Sequence, residues 1–161
     1  PAHSIADGVR MREALAALEL VVVIVLMSVL ATYVTLRWNS NAASTVAYQA
    51  EQFARNLRHA QMIAMSRNVT LTVTVTAAGY SVSDGVGVII DPALSEPFNI
   101  VLANGVTFSA GAGAISLDGL GRPKTGAAFN TAVQSFTLNG DGTTWTVSVA
   151  PLTGFVSVVT P

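Results

Sequence analysis

Residues 14–36 read ALAALELVVVIVLMSVLATYVTL, and no other stretch restricts the fold as strongly. The only charged side chain in the run is Glu19. At a rise of about 1.5 Å per residue, a helix of about 23 positions spans a hydrocarbon core of about 30 Å. Arg37 and Trp38 follow at once, where a snorkelling cation and an interfacial aromatic belong. Arg10 and Arg12 precede the run and place the N-terminus on the cytoplasmic side, a bias weakened by Asp7 and Glu13. A cleaved secretory signal is the competing reading. Its apolar core is shorter, about 7 to 15 residues, so a retained segment is favoured.

A helical pattern continues past the apolar run. Val46, Ala50, Phe53, Leu57, Ala60 and Ala64 recur at alternating steps of four and three, which makes one face of a helix. Glu51, Arg55, Arg58, His59 and Arg67 lie off that face, so His59 is expected in solvent and Glu51 is expected to pair with Arg55. No Pro or Gly occurs between Arg10 and Asn68. The reading is one helix over residues 11–66, about 80 Å long at the helical rise. Residues 38–44 (WNSNAAS) are its weak point, because Asn and Ser side chains compete for the backbone. The β-branched run 21–25 is a second.

After Asn68 the period changes to two. VTLTVTVT (69–76) alternates, and GYSVS answers it across a turn at Ala78-Gly79. Asn104-Gly105 reads as a hairpin turn between apolar runs. AISLDGLGRPKTG is a strand and a punctuated loop. The last 29 residues hold three strands separated by NGDG and PLTG. Six to eight strands result. The fold class is α+β, with the amphipathic half of the helix laid on an antiparallel sheet.

Little in the sequence supports chemistry. There is no cysteine, and His59 is the one histidine beyond residue 3, so thiolate metal sites and a Ser-His-Asp arrangement lack their parts. No cofactor and no enzyme activity are expected. Asp118 and Asp141 lie near loop glycines, but no calcium-loop spacing surrounds them. Arg122 and Lys124 form the sole basic spot of the β-rich part and are the candidate ligand contacts. Residues 68–161 carry two basic and five acidic side chains, a local net of 2 − 5 = −3, which disfavours phosphate or nucleic-acid binding. Asn68-Val69-Thr70 matches an N-glycosylation acceptor, a pattern common by chance.

Four stretches taken in order carry a resemblance: the apolar run from LELVVVIV, the helix FARNLRHAQMIAMSRNVTLTV, then LDGLGRP and VAPLTGFVSV. Together they resemble type IV pilin-like proteins, and within them the GspH/FimT group of minor pilins and minor pseudopilins. The resemblance covers nearly the whole chain and implies a pilin-like fold. Aligning the family's conserved Glu on Glu19 puts processing between Ala14 and Leu15. Here Ala14 replaces the usual Gly and Leu15 the usual Phe. Ser28 and Leu36 stand where relatives often carry a helix-melting Gly or Pro.

The resemblance implies a leader (1–14), a transmembrane and assembly helix (15–38), the amphipathic helix of the head (39–67) and a β-rich head (68–161). It implies N-methylation at Leu15 and insertion in a bacterial inner membrane, single-pass, with the N-terminus cytoplasmic and the head periplasmic. Extraction into a type IV pilus or a type II secretion pseudopilus would follow. The implied partners are other pilin or pseudopilin subunits, the prepilin peptidase and the inner-membrane assembly platform. Glu19 gains a role in this picture. A carboxylate in a membrane helix costs about 2 to 3 kcal/mol on insertion scales, less near the interface. An α-amino cation at a neighbour's Leu15 would neutralise it and set axial register. The bland alternative is a Glu19 that snorkels to the headgroups. A second reading is a filament-borne surface binding module for DNA or a host ligand, using Arg122 and Lys124.

Overall fold

The computed structural model describes the backbone of residues 2–159 and the side chains of residues 18–29 and 45–159. The chain divides into two compact units, Pro1–Ser40 and Asn41–Pro161. One helix, α1 (Ala2–Arg67), is followed by ten strands. The helix starts earlier than the expected position 11, and it includes residues 38–44, where the Asn and Ser cluster predicts local melting. It stops at a Schellman turn. Asn68 takes the left-handed conformation (φ 50°), its N–H donates to Met65 O, and the Val69 N–H donates to Ala64 O.

The expected apolar face of α1 is the spine of the head. Val46, Ala50, Phe53, Leu57, Ala60 and Ala64 are all buried, joined by Ala54 and Ile63. The Phe53 ring meets Tyr80, Phe108 and Phe136 edge-on at centroid distances of 4.7, 5.0 and 5.3 Å. These are the geometries that aromatic quadrupoles favour.

The strands form two antiparallel sheets where one was expected. The first, in the order β3-β2-β1-β5-β6-β7, comprises β1 (Leu71–Thr76), β2 (Gly79–Ser83), β3 (Asn99–Val101), β5 (Gly113–Leu117), β6 (Pro123–Thr125) and β7 (Ala128–Phe129). The second, in the order β10-β9-β8-β4, comprises β4 (Thr107–Ala110), β8 (Gln134–Gly140), β9 (Thr143–Val149) and β10 (Val156–Val159). The Asn104-Gly105 turn forms, with φ of 55° and 73°. It does not close a hairpin, because β3 pairs with β2 while β4 pairs with β8. The same two residues instead carry the chain from one sheet to the other. The β1–β2 turn falls at Ala77-Ala78, one residue before its expected place, since Thr76 already faces Gly79. Gly79 is small for a different reason: a Cβ there would run into Ile100 O on β3.

Polar side chains on α1 tie the loops down. The Gln49 amide donates to Ala103 O (2.9 Å) and accepts from Ala103 N–H (3.1 Å). Gln61 Nε2 donates to Gly121 O (3.2 Å) and Gly154 O (2.6 Å), and Arg58 Nη2 donates to Val156 O (2.9 Å). His59 is not in free solvent as expected. It is half-buried, its Nδ1 is 3.9 Å from Asp91 Oδ1, and its ring lies 5.9 Å from Phe98. The segment between β2 and β3, which carries Asp91, covers that side of the helix. Glu51 and Arg55 do not form an ion pair among the described residues. Arg55 lies over the Tyr48 ring instead, at 5.9 Å.

Candidate functional site

In the first unit, the described side chains of residues 18–29 form an exposed apolar helix surface. Leu18, Leu20, Ile24, Leu26, Met27 and Val29 are all more than half exposed. Glu19 is exposed in this surface and has no ion-pair partner among the described residues. Ser28 Oγ donates back to Ile24 O at 2.7 Å, one turn earlier, so the hydroxyl is absorbed within the helix. Ala14 and Leu15, the expected processing pair, lie outside the residues whose side chains are described, as do Arg37 and Trp38. Among the described residues no helix is long and apolar enough to cross a membrane.

In the second unit, the candidate cations sit on a built loop. Asp118 Oδ1 accepts from the N–H groups of Leu120 (3.0 Å) and Arg122 (2.8 Å). Asp118 Oδ2 accepts from Arg122 Nε (2.9 Å) and Nη2 (2.7 Å). Burial alone would raise the Asp118 carboxyl. The Arg122 side chain and the two backbone donors outweigh burial and hold it below its ordinary range. The Arg122 guanidinium lies 4.2 Å over the Phe129 ring, and Lys124 Nζ is 5.4 Å from the same ring. Arg122, one of the two candidate ligand contacts, is thus committed to Asp118 and Phe129, with Lys124 beside it. The pair lies in the loop between β5 and β6, where no helical spacing rule applies, and the sequence reading does not join the two residues. Asp141 occupies the β8–β9 turn at φ 50°. Among the described residues no cluster of His, Asp and Glu suits a metal ion.

Tyr80 is a second buried polar group. Burial pushes its phenol up to about 12, against a hydrogen bond from Asn56 Nδ2 at 2.7 Å that works the other way. A groove of about 360 Å³ opens between α1 and β3, lined by Tyr48, Gln49, Gln52, Ile100, Val101 and Asn104 among others. Neither this groove nor the edge strand beside it was singled out from the sequence.

One helix with an apolar face set against antiparallel sheets, in a chain that also carries an exposed apolar helical stretch, defines a pilin-like α+β protein. The crystal structure of the type IV minor pilin FimU from Pseudomonas aeruginosa PAO1 has this fold. It superposes with a TM-score of 0.52 at 13% identity, covering 71% of this chain and 87% of FimU. A second crystal form of FimU gives 0.48 at 14% identity, over 68% and 89%. A search of curated proteins by sequence finds no match. Residues 49–153 match the family described as type II transport protein GspH, and the chain belongs to that family, within the GspH/FimT-like minor pilin group.

Proposed function

We propose that this chain is a minor pilin or minor pseudopilin, a structural subunit that joins a filament or its initiating tip complex through its N-terminal helix. The observation that carries this reading is the exposed apolar surface over residues 18–29, interrupted only by Glu19 and Ser28, in a member of the GspH family. A surface of that size and greasiness demands a membrane or a partner. Before assembly the helix sits in the inner membrane with the head outside the cytoplasm. The prepilin peptidase cuts between Ala14 and Leu15 and frees the Leu15 amine, which is then methylated. The assembly platform extracts the subunit. Glu19 then meets the amine of an adjacent subunit.

Intact mass of the protein purified from membranes tests the processing step. A mature chain beginning at Leu15 is expected. A chain that keeps residues before Leu15 would refute this register. Co-purification with other pilin-like subunits in sheared filaments tests the role itself, and a chain absent from every such assembly would overturn it. The catalytic reading has no residue constellation behind it. The ligand-binding alternative is weakened by the engagement of Arg122 with Asp118, which leaves Lys124 as its main cation.

A further inference from the structure

The chain holds two Asn-Gly dipeptides, Asn104-Gly105 and Asn139-Gly140. In such a pair the peptide nitrogen reaches the preceding side chain easily, because glycine has no Cβ to crowd the approach. The fold treats the two differently. Asn104 and Gly105 are both exposed, in the turn between β3 and β4. The Asn104 side chain and the Gly105 N–H have no hydrogen bond among the described residues. A Cβ built on Gly105 would meet no atom within 4 Å. The backbone bond across the turn, Val106 N–H to Ala103 O, is long at 3.2 Å.

Asn139 and Gly140 instead end β8, which lies between β9 and β4. Asn139 faces Thr144 on one side and Thr107 on the other, and Gly140 faces Thr143. Gly140 is buried, and a Cβ there would run into the Val46 side chain on α1. The same dipeptide is thus loose at one place and locked in a ladder at the other.

We propose that Asn104-Gly105 is a self-modifying site, at which the head turns an amide into a carboxylate with water as the co-reactant. The Gly105 nitrogen gives up its proton and attacks Asn104 Cγ. The new N–Cγ bond closes a cyclic imide, the Cγ–Nδ2 bond breaks, and Nδ2 leaves as ammonia with that proton. Water then opens the imide, supplying the hydroxyl of the new carboxyl group and the proton that returns to the nitrogen. Opening at Cγ gives aspartate. Opening at the main-chain carbonyl gives isoaspartate, whose backbone runs through Cγ and is one carbon longer. Either product takes the formal net charge from −1 to −1 − 1 = −2. The extra carbon of isoaspartate falls between Ala103, which Gln49 holds, and Val106, which is buried. It therefore loosens the passage from one sheet to the other. None of this depends on the subunit reading above.

Ageing the full chain in detergent at mildly alkaline pH, which favours loss of the Gly105 proton, tests the site. Peptide mapping by mass, with fragmentation that separates isoaspartate from aspartate, follows both asparagines. In the folded chain Asn104 should convert about tenfold faster than Asn139 or more, because Asn139 reacts only when the end of β8 opens. In denaturant the two rates should converge, since both residues precede glycine. The aged folded chain should also exchange its Ala103 amide faster than the fresh one. Asn104→Gln, which moves the amide one carbon away from the attacking nitrogen, should keep the unfolding midpoint and stay unmodified. Equal conversion of Asn104 and Asn139 in the folded chain overturns the proposal. A preference for Asn104 that persists in denaturant also overturns it, since the local sequence and not the fold would then set the rate. Conversion to isoaspartate with unchanged exchange at Ala103 overturns the loosening.

Discussion

Two buried polar groups make the head sensitive to pH from opposite ends. Asp118 is held below its ordinary carboxyl range against the opposing effect of burial. A depressed carboxyl stabilises the fold above the unfolded-state value, and that contribution is lost as pH falls through the folded value. Asp118→Asn should therefore destabilise the chain at neutral pH by about 1 to 3 kcal/mol, the usual scale for bonds to a charged group. Denaturant titrations across the acid range should show the gap between variant and wild type constant at neutral pH and closing below the ordinary carboxyl value of 3.8. Tyr80 behaves inversely. Its phenol is raised from 10.0 to about 12, so the neutral form is what the fold stabilises. That contribution is complete below 10.0 and is lost as pH rises toward about 12. Tyr80→Phe should lose less stability than wild type across this alkaline window, at the cost of orphaning Asn56 at neutral pH. A wild-type stability that stays flat through the window would contradict the assignment.

Helix α1 organises the head because its apolar face and its polar clips alternate along the same rod. Gln49 holds the chain where it passes between sheets, and Gln61 joins the β5–β6 and β9–β10 loops. Gln49→Ala hands the N–H and C=O of the exposed Ala103 to water, so each lost bond costs only about 0.5 to 1.5 kcal/mol. Faster amide exchange should appear at residues 102–104 and not at the loops that Gln61 holds. Gln61→Ala should give the converse pattern. The helix face was legible in advance because a 3.6-residue period over six positions has no competing explanation. The division of the strands into two sheets was not. Asn104-Gly105 supplies the positive φ angles of a turn, and the local chemistry is the same whether the chain returns to its neighbour or leaves for another sheet. The position of β3 at a sheet edge was hidden for a related reason, since edge or centre depends on strand order, which periodicity does not encode. Glu19 was conspicuous because one charge in an apolar run stands out whatever the fold. The Asp118–Arg122 pair was not legible, because the two residues meet only through the turn between β5 and β6, and no periodicity encodes that turn.

At the scale of the whole molecule, the question is what a carboxylate does on an otherwise apolar helix surface that the subunit itself leaves uncovered. If the helix spans a bilayer as proposed, Glu19 is a cost there on insertion scales, reduced near the interface. In a filament the same group becomes a gain if a cation from a neighbour meets it, because an ion pair with little water around it is far stronger than one in bulk. The two states thus change sign at one side chain. Glu19→Ala should insert at least as well as the wild type, since a polar penalty has been removed. It should assemble less well, since the counter-charge of the neighbour then has nothing to meet, and truncating one member of such a pair costs about 2 to 5 kcal/mol. Glu19→Gln separates charge from shape, because it keeps the size and hydrogen-bonding capacity of the side chain. If pairing with an amine is the role, the two variants should fall together. Site-specific crosslinking between helices, read beside membrane fractionation, measures both halves at once. Assembly of Glu19→Gln at the wild-type level would show that charge is not what the helix supplies, and Glu19 would then be a side chain that only reaches for the headgroups.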